Sequence, residues 1–190
     1  MTIDEIFEEL KQHLVGGMMF HDEMANYYDF LGGFRGYKRA HEYHFLKESI
    51  MMRKLERHYM AYHHALIKDK QVADPQAIPS AWFGHNQKEI SANTRQNAVK
   101  SGIEEWVKWE SAVKSRVHEL YKEVMDVGDA ADIMFLERML CAVTKELKCA
   151  QKKHLELESV SYDMPYIVGE QKCLHDKYKK KTAKIGKMLW

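Results

Sequence analysis

The sequence predicts an all-α protein: a four-helix bundle with a long crossover between its second and third helices, followed by a helical C-terminal extension. Three observations carry that expectation. Apolar residues recur at helical spacing through four long stretches. Only three prolines and ten glycines interrupt 190 residues, and good helix formers are plentiful. Two connections between the periodic stretches are tight turns, whereas the middle one is roughly 25 residues long, unusual for a compact domain.

In the first stretch, Thr2 and Glu5 form a capping-box pattern. Ile3, Ile6, Phe7, Leu10, Leu14, Met18, His21, Met24, Tyr28 and Leu31 then share one face, which predicts a helix over about residues 3–31. Gly16-Gly17 inside it costs about 1 kcal/mol per residue against alanine and marks a kink or a close approach. Gly32-Gly33 ends it. A second helix starts near Phe34 or Tyr37 and runs to about Lys68, with Tyr37, His41, His44, Glu48, Met52, Leu55, Tyr59, Tyr62 and Leu66 in one stripe. Residues 69–93 break the period. Pro75 and Pro79 forbid a continuous helix, and Trp82 and Phe83 are expected to pin the connection to the bundle.

Asn93 with Gln96 offers a cap for a third helix reaching about Asp126. Its stripe is Val99, Gly102, Ile103, Trp106, Glu110, Val113, Val117, Leu120, Tyr121 and Val124. Asp129 caps a fourth helix whose face carries Ile133, Leu136, Leu140, Val143, Leu147, Ala150, His154, Leu157 and Ser161, with Glu146 and Glu158 flanking. Pro165 is expected to end it. These spans divide the chain into a bundle, residues 1–163, and an extension, residues 164–190, holding a shorter helix and a lysine-rich end closed by Met188-Leu189-Trp190.

Glu48 and Glu110 lie in the middle of otherwise greasy stripes. A carboxylate aimed at a core costs several kcal/mol unless it is paired, protonated or bound to a cation. A 30-residue helix spans about 45 Å, and a 25-residue extended segment reaches roughly 80 Å, so the long connection can climb the whole bundle and make the second and third helices parallel. Counted from the end holding the 3–4 turn, Glu48, Glu110, Glu146 and His21 then lie about 17–20 residues in, with His44 and His154 about one turn further. The crossover thus gathers the odd polar residues at one height.

Such a gathering of carboxylates and imidazoles suits a pair of iron or manganese ions held in a dry interior. His21, His44, Glu48, Glu110, Glu146, His154 and Glu158 are the candidate ligands, with Tyr28 or Tyr59 behind them. Architecturally, residues 3–160 resemble the ferritin-like superfamily, in which the first and third helices each supply a glutamate and the second and fourth each supply Glu-x-x-His. Glu110 matches that pattern in type and place. The first helix offers His21 inward, with Glu23 about 160° away; the second and fourth carry His44-x-x-x-Glu48 and His154-x-x-x-Glu158. The resemblance implies a ferritin-like fold and a di-metal centre, and leaves the reaction unassigned. His-x-x-x-Glu on the second helix is also similar to hemerythrin-like bundles, although His118 on the third helix lies about 100° off the stripe.

The rival reading is a non-enzymatic scaffold with a metal-free polar core, in which Glu48 pairs with His44 or His154 and Glu110 with His21 or a tyrosine. In both readings His58, His63 and His64 are surface or loop-packing residues, and Trp106 and Trp109 are packing. A net charge of +1 makes nucleic acid an unlikely partner apart from the tail, where six lysines lie between Lys177 and Lys187. No run of about 18 apolar residues suggests a membrane span, and the start TIDEIFEEL is unlike a signal peptide. Cys141, Cys149 and Cys173 form no CxxC pair, as expected of reduced thiols in a cytoplasmic protein. Exposed aromatic residues such as Trp190 make a homo-oligomer the default expectation.

Overall fold

The computed structural model describes residues 1–73, 75–78 and 86–189, without the side chains of 89 and 186–189. Five helices account for most of them: α1 (Ile3–Leu31), α2 (Arg35–His63), α3 (Ala92–Val127), α4 (Ala130–Ser159) and α5 (Met164–Leu189). No described helix is long and apolar enough to cross a membrane.

The predicted capping box is present. Glu5 N–H donates to Thr2 Oγ1 at 3.2 Å and Thr2 N–H donates to Glu5 Oε2 at 2.8 Å, satisfying two donors the first turn leaves free. Gly32 and Gly33, both at positive φ, turn the chain into α2. That helix stops about five residues before its predicted end, at His64 in the left-handed conformation. The pattern beyond it was misleading: Tyr62 and Leu66 are exposed, whereas Ile67 is buried because the chain reverses and tucks it beneath α1.

The connection then climbs α1. Lys11 Nζ donates to the Ile67 carbonyl and Gln12 to the Gln71 carbonyl; Val72 lies beside Gly16; Ala77 N–H donates to Glu23; Gln87 reaches the Asp29 carbonyl. The α1 partners advance from residue 11 to residue 29, so the strap runs nearly the full height of that helix. Trp82 and Phe83, expected to pin it, lie outside the described residues.

As a result α2 and α3 run parallel. One apolar cluster joins the start of α1 to the ends of α2 and α3 and the start of α4, through Phe7, Leu10, Leu55, Leu120, Val124 and Leu136. A second joins the end of α1 to the starts of α2 and α3 and the end of α4, through Tyr28, Tyr37, Val99, Ile103, Ala150 and Leu157. The cap of α3 is Ser91, whose Oγ accepts from Thr94 N–H; Asn93 lies inside the first turn, and Gln96 instead donates to the Ser161 carbonyl. Asp129 caps α4 as expected, accepting from Ala131 and Asp132 N–H. Pro165 does not end α4: Ser161 and Tyr162 in left-handed conformations do, and Pro165 sits in the first turn of α5, where a missing N–H costs nothing.

The extension is one long helix that takes in the lysine-rich end, rather than a shorter helix followed by it. Ile167, Gln171, Leu174, Tyr178 and Ile185 are buried at steps of four, three, four and seven, a stripe hidden in the sequence by intervening lysines. It packs on α2. Phe34, the residue before α2, offers no side-chain cap, and Gln171 of α5 supplies one: its Oε1 accepts from Gly36 N–H at 2.9 Å and Tyr37 N–H at 3.3 Å. Gly36 allows that approach. A Cβ there would lie 2.7 Å from the Gln171 carbonyl oxygen and 2.8 Å from Leu174 Cβ.

Gly36→Ala is therefore expected to lower stability by about 1–3 kcal/mol, as overpacking against backbone does, and to loosen α5. Chemical denaturation together with limited proteolysis around residues 160–189 measures both effects.

Candidate functional site in the bundle interior

Between the two apolar clusters lies a layer of polar side chains contributed by four helices. From α1 comes His21, one turn beyond Gly17; from α2, His41, His44, Lys47 and Glu48; from α3, Trp106 and Glu110; from α4, Glu146. His21, His41, His44, Glu110 and Glu146 are buried. Helical spacing puts His41, His44 and Glu48 on one face, and the crossover brings that face level with Glu110.

Two chains of polar contacts run through the layer. In the first, Trp106 Nε1–H donates to Glu110 Oε1 at 3.0 Å, His21 Nε2 lies 3.6 Å from the same oxygen, and His21 Nδ1 meets His41 Nδ1 at 3.0 Å. The two Nδ1 atoms share one proton, so the tautomer of His21 sets that of His41. In the second, His44 Nδ1 approaches Glu146 Oε2 at 2.6 Å while the Lys47 ammonium pairs with Glu146 Oε1. The His44 approach is close but poorly angled, leaving Oε2 without an aligned donor. His44 Nε2 is buried with no hydrogen-bond partner; its ring lies 5.2 Å from that of His21.

Burial keeps the imidazoles neutral. It holds His21 down at about 4, against the pull of Glu110, and His44 at about 3; His41 is also held well below the ordinary value, with the two neighbouring histidines adding to the effect. Glu110 is held below the ordinary carboxyl value: burial pushes it up, but the close approach of His21 and the N–H donated by Trp106 outweigh it. Part of Glu48 faces solvent, yet its carboxyl is enclosed. That enclosure raises it to about 8, with Glu110 adding and Lys47 opposing. On α1 the residue facing Glu48 is Gly17, where a Cβ would lie 3.2 Å from Glu48 Cγ. Gly16 makes the equivalent room for Trp109, at 3.3 Å. The glycine pair is thus a double close approach.

Five of the seven predicted ligands, His21, His44, Glu48, Glu110 and Glu146, belong to this layer. His154 and Glu158 do not. His154 Nδ1 meets the Tyr162 hydroxyl at 2.7 Å, and Glu158 is exposed, 3.9 Å from His154 Nε2. Of the two supporting tyrosines, Tyr28 stacks on His41 at 5.5 Å. Tyr59 lies at the other end of the bundle and donates to Asp4. Trp106 holds Glu110 as well as packing, and Trp109 stacks on Phe20.

The sequence reading missed His41 and Lys47 as site residues. His41 was legible as a member of the inward stripe; Lys47, about 100° off it, was not. His58 and His63 are also more than surface residues: both Nε2 atoms reach Oδ1 of buried Asp132, at 2.8 and 3.0 Å, and clasp the end of α2 to the start of α4. A cleft of about 160 Å³ between α2, α4 and α5, lined by Tyr37, Cys149, Lys152 and Tyr178, reaches Trp106 and so the edge of the layer. Its thiol Cys149, like Cys141 and Cys173, is free and exposed.

The layer's titration sets a pH dependence for metal-free protein. A histidine kept neutral in the fold leaves the unfolded chain binding more protons, so stability falls as pH drops from 6.5 towards about 4 for His21 and about 3 for His44. Glu48 has the opposite sign: the folded form keeps its proton, so stability falls as pH rises from 4.5 to about 8. The histidines dominate below their ordinary value and Glu48 sets the fall just above it, while Lys47, which burial lowers, adds an opposite slope nearer its ordinary value of 10.5. The melting temperature of chelator-treated protein is expected to peak near pH 6.5, and Glu48→Gln to remove the decline on the alkaline side.

No family model matches the chain, and no curated protein matches it. Solved structures do. An engineered closed form of the Archaeoglobus fulgidus ferritin is 19% identical, covers 90% of this chain and 93% of its own, and has a TM-score of 0.72. The open pore ferritin from the hyperthermophilic archaeon Archaeoglobus fulgidus gives the same identity, coverage and TM-score. A humanized archaeal ferritin is 17% identical over 90% of this chain and 94% of its own, again with a TM-score of 0.72. At such identities the likeness is one of fold, and the chain has a ferritin-like all-helical bundle architecture.

Proposed function

We propose that this ferritin-like bundle binds a divalent transition-metal ion in its interior, between α1, α2 and α3, through His44 and Glu110, with His21 and Glu48 completing the donor set. The observation that carries the reading is the orphaned Nε2 of His44. A buried imidazole nitrogen without a partner is costly. Here the opposite nitrogen lies beside Glu146, and a small rotation would align the carboxylate–histidine hydrogen bond that orients a ligating ring. Burial also keeps the imidazoles in the neutral form that ligates. A cation near Glu48 and Glu110 would supply the charge that burial, with Glu110 adding to it, now makes costly for Glu48 to carry. Mixed imidazole and carboxylate donors favour iron or manganese over magnesium or calcium, and the fold neighbours are ferritins.

The donors fit one ion better than two. On α1 the position facing Glu48 is a glycine; the residues three after Glu48 and Glu146 are Met51 and Cys149 rather than histidines; and Lys47 already neutralises Glu146. Binding requires side-chain rotation, because among the described residues no three His, Cys, Asp or Glu side chains are arranged about a common point. That arrangement, with the Lys47–Glu146 pair, favours a second reading: a metal-free polar core that fixes helix register, as satisfied buried networks do.

Metal analysis of protein purified without chelator, followed by anaerobic Fe(II) or Mn(II) titration, separates the two. The metal reading expects about one equivalent, abolished in Glu110→Ala and His44→Ala, and stabilisation of about 2.7 kcal/mol at one hundred times the dissociation constant. Protein that takes up no ion and shows no thermal shift belongs to the second reading. Self-association is proposed on separate grounds, the exposed Met60, Tyr62 and Leu66 around the end of α2. Light scattering is expected to give a mass above that of one chain.

A further inference from the structure

We infer that Lys47 stands in for a second cation: its ammonium occupies the place on Glu146 that a second metal ion would take between α2 and α4. This rests on the metal reading of the neighbouring position.

Lys47 lies one residue before Glu48 and three after His44, off the inward stripe of α2, where a lysine would ordinarily extend into water. Instead it turns inward. The chain crosses the Tyr43 ring, with Nζ 5.8 Å from the centroid, and the ammonium meets Glu146 Oε1. Glu146 is buried, so leaving its carboxylate without a compensating charge would be strongly destabilising. Its other oxygen has the close but poorly angled His44 Nδ1 contact. Among the described residues, Lys47 is the one ammonium or guanidinium group paired with Glu146. Glu48 and Glu110 act on the same group, which burial holds below the ordinary lysine value, so one amine faces three interior carboxyl groups from three helices, of which Glu48 keeps its proton. That is the environment a hard divalent cation selects: several carboxylate oxygens beside an imidazole in a water-poor layer. An ammonium brings one charge and three N–H donors, enough to hold Glu146, and its bulk excludes an ion from the same spot. Lys47 thereby limits the interior to one exchangeable cation and keeps Glu146 in place behind His44.

The test is metal stoichiometry of the full chain, by anaerobic equilibrium dialysis against Mn(II) or Co(II) with metal analysis and, for cobalt, the visible d–d absorption. Lys47→Gln is expected to bind one more equivalent than wild type, Lys47→Arg no more than wild type, and Lys47→Gln combined with Glu146→Gln to lose the extra ion. Lys47→Ala, which leaves no amide at the position, is the second variant and is expected to gain the same ion; circular dichroism confirms the fold of each. An unchanged stoichiometry in both Lys47→Gln and Lys47→Ala overturns the inference, as does an extra ion that survives loss of Glu146, or a wild type that already binds two. The two readings fail separately. One equivalent in wild type and variants alike sinks only the Lys47 assignment, whereas none in wild type and one in Lys47→Gln sinks only the proposed position at His44 and Glu110.

Discussion

Carboxylates and imidazoles in a dry helix bundle must find partners, and that need governs this molecule. Glu110 and Glu146 are buried in mid-helix, where an unpaired charge would cost several kcal/mol. Each is answered from another helix: Glu110 has His21 of α1 beside Trp106 of its own helix, and Glu146 has Lys47 and His44 of α2. Glu48 is answered differently, by holding its proton. The result is a polar layer between two apolar clusters, and its members meet only because the helices stand in a particular order.

That order is imposed by the strap between α2 and α3. Without it, α3 would start beside the end of α2, and Glu146 would lie far from His44. With it, both ends of the bundle close on their own apolar clusters while the polar residues share one level. The strap is held by α1 through polar contacts at several heights, and Gly16 gives Val72 and Trp109 room to approach. α5 adds a third constraint. It lends Gln171 to the uncapped start of α2 and covers the histidine face with Tyr178, whose ring lies 6.2 Å from that of His44.

Much of this was legible in residue pattern. The 3.6-residue period located the four bundle helices, Thr2-Glu5 and Asp129 marked two starts, and the odd polar residues in the stripes led to His21, His44, Glu48 and Glu110. Errors arose where one pattern had two possible sources. Tyr62 and Leu66 continue the α2 stripe but lie past its end, because His64 turns left-handed and Ile67 takes the buried place. His154-x-x-x-Glu158 repeats the spacing of His44-x-x-x-Glu48, yet its histidine pairs locally with Tyr162 near the end of α4. The extension was expected to hold only a shorter helix because the apolar stripe of its Lys-rich end is diluted by charge.

The sequence by itself determined where helices form and which faces turn inward, since both follow from local spacing and from transfer of apolar surface out of water. Only the tertiary structure decided that His41 meets His21 ring to ring, that Lys47 bends inward to Glu146, and that Asp132 is gripped by two histidines. A long side chain's direction and a histidine's tautomer depend on what another helix presents within about 3 Å, and residues distant in sequence carry no record of that until the chain has folded.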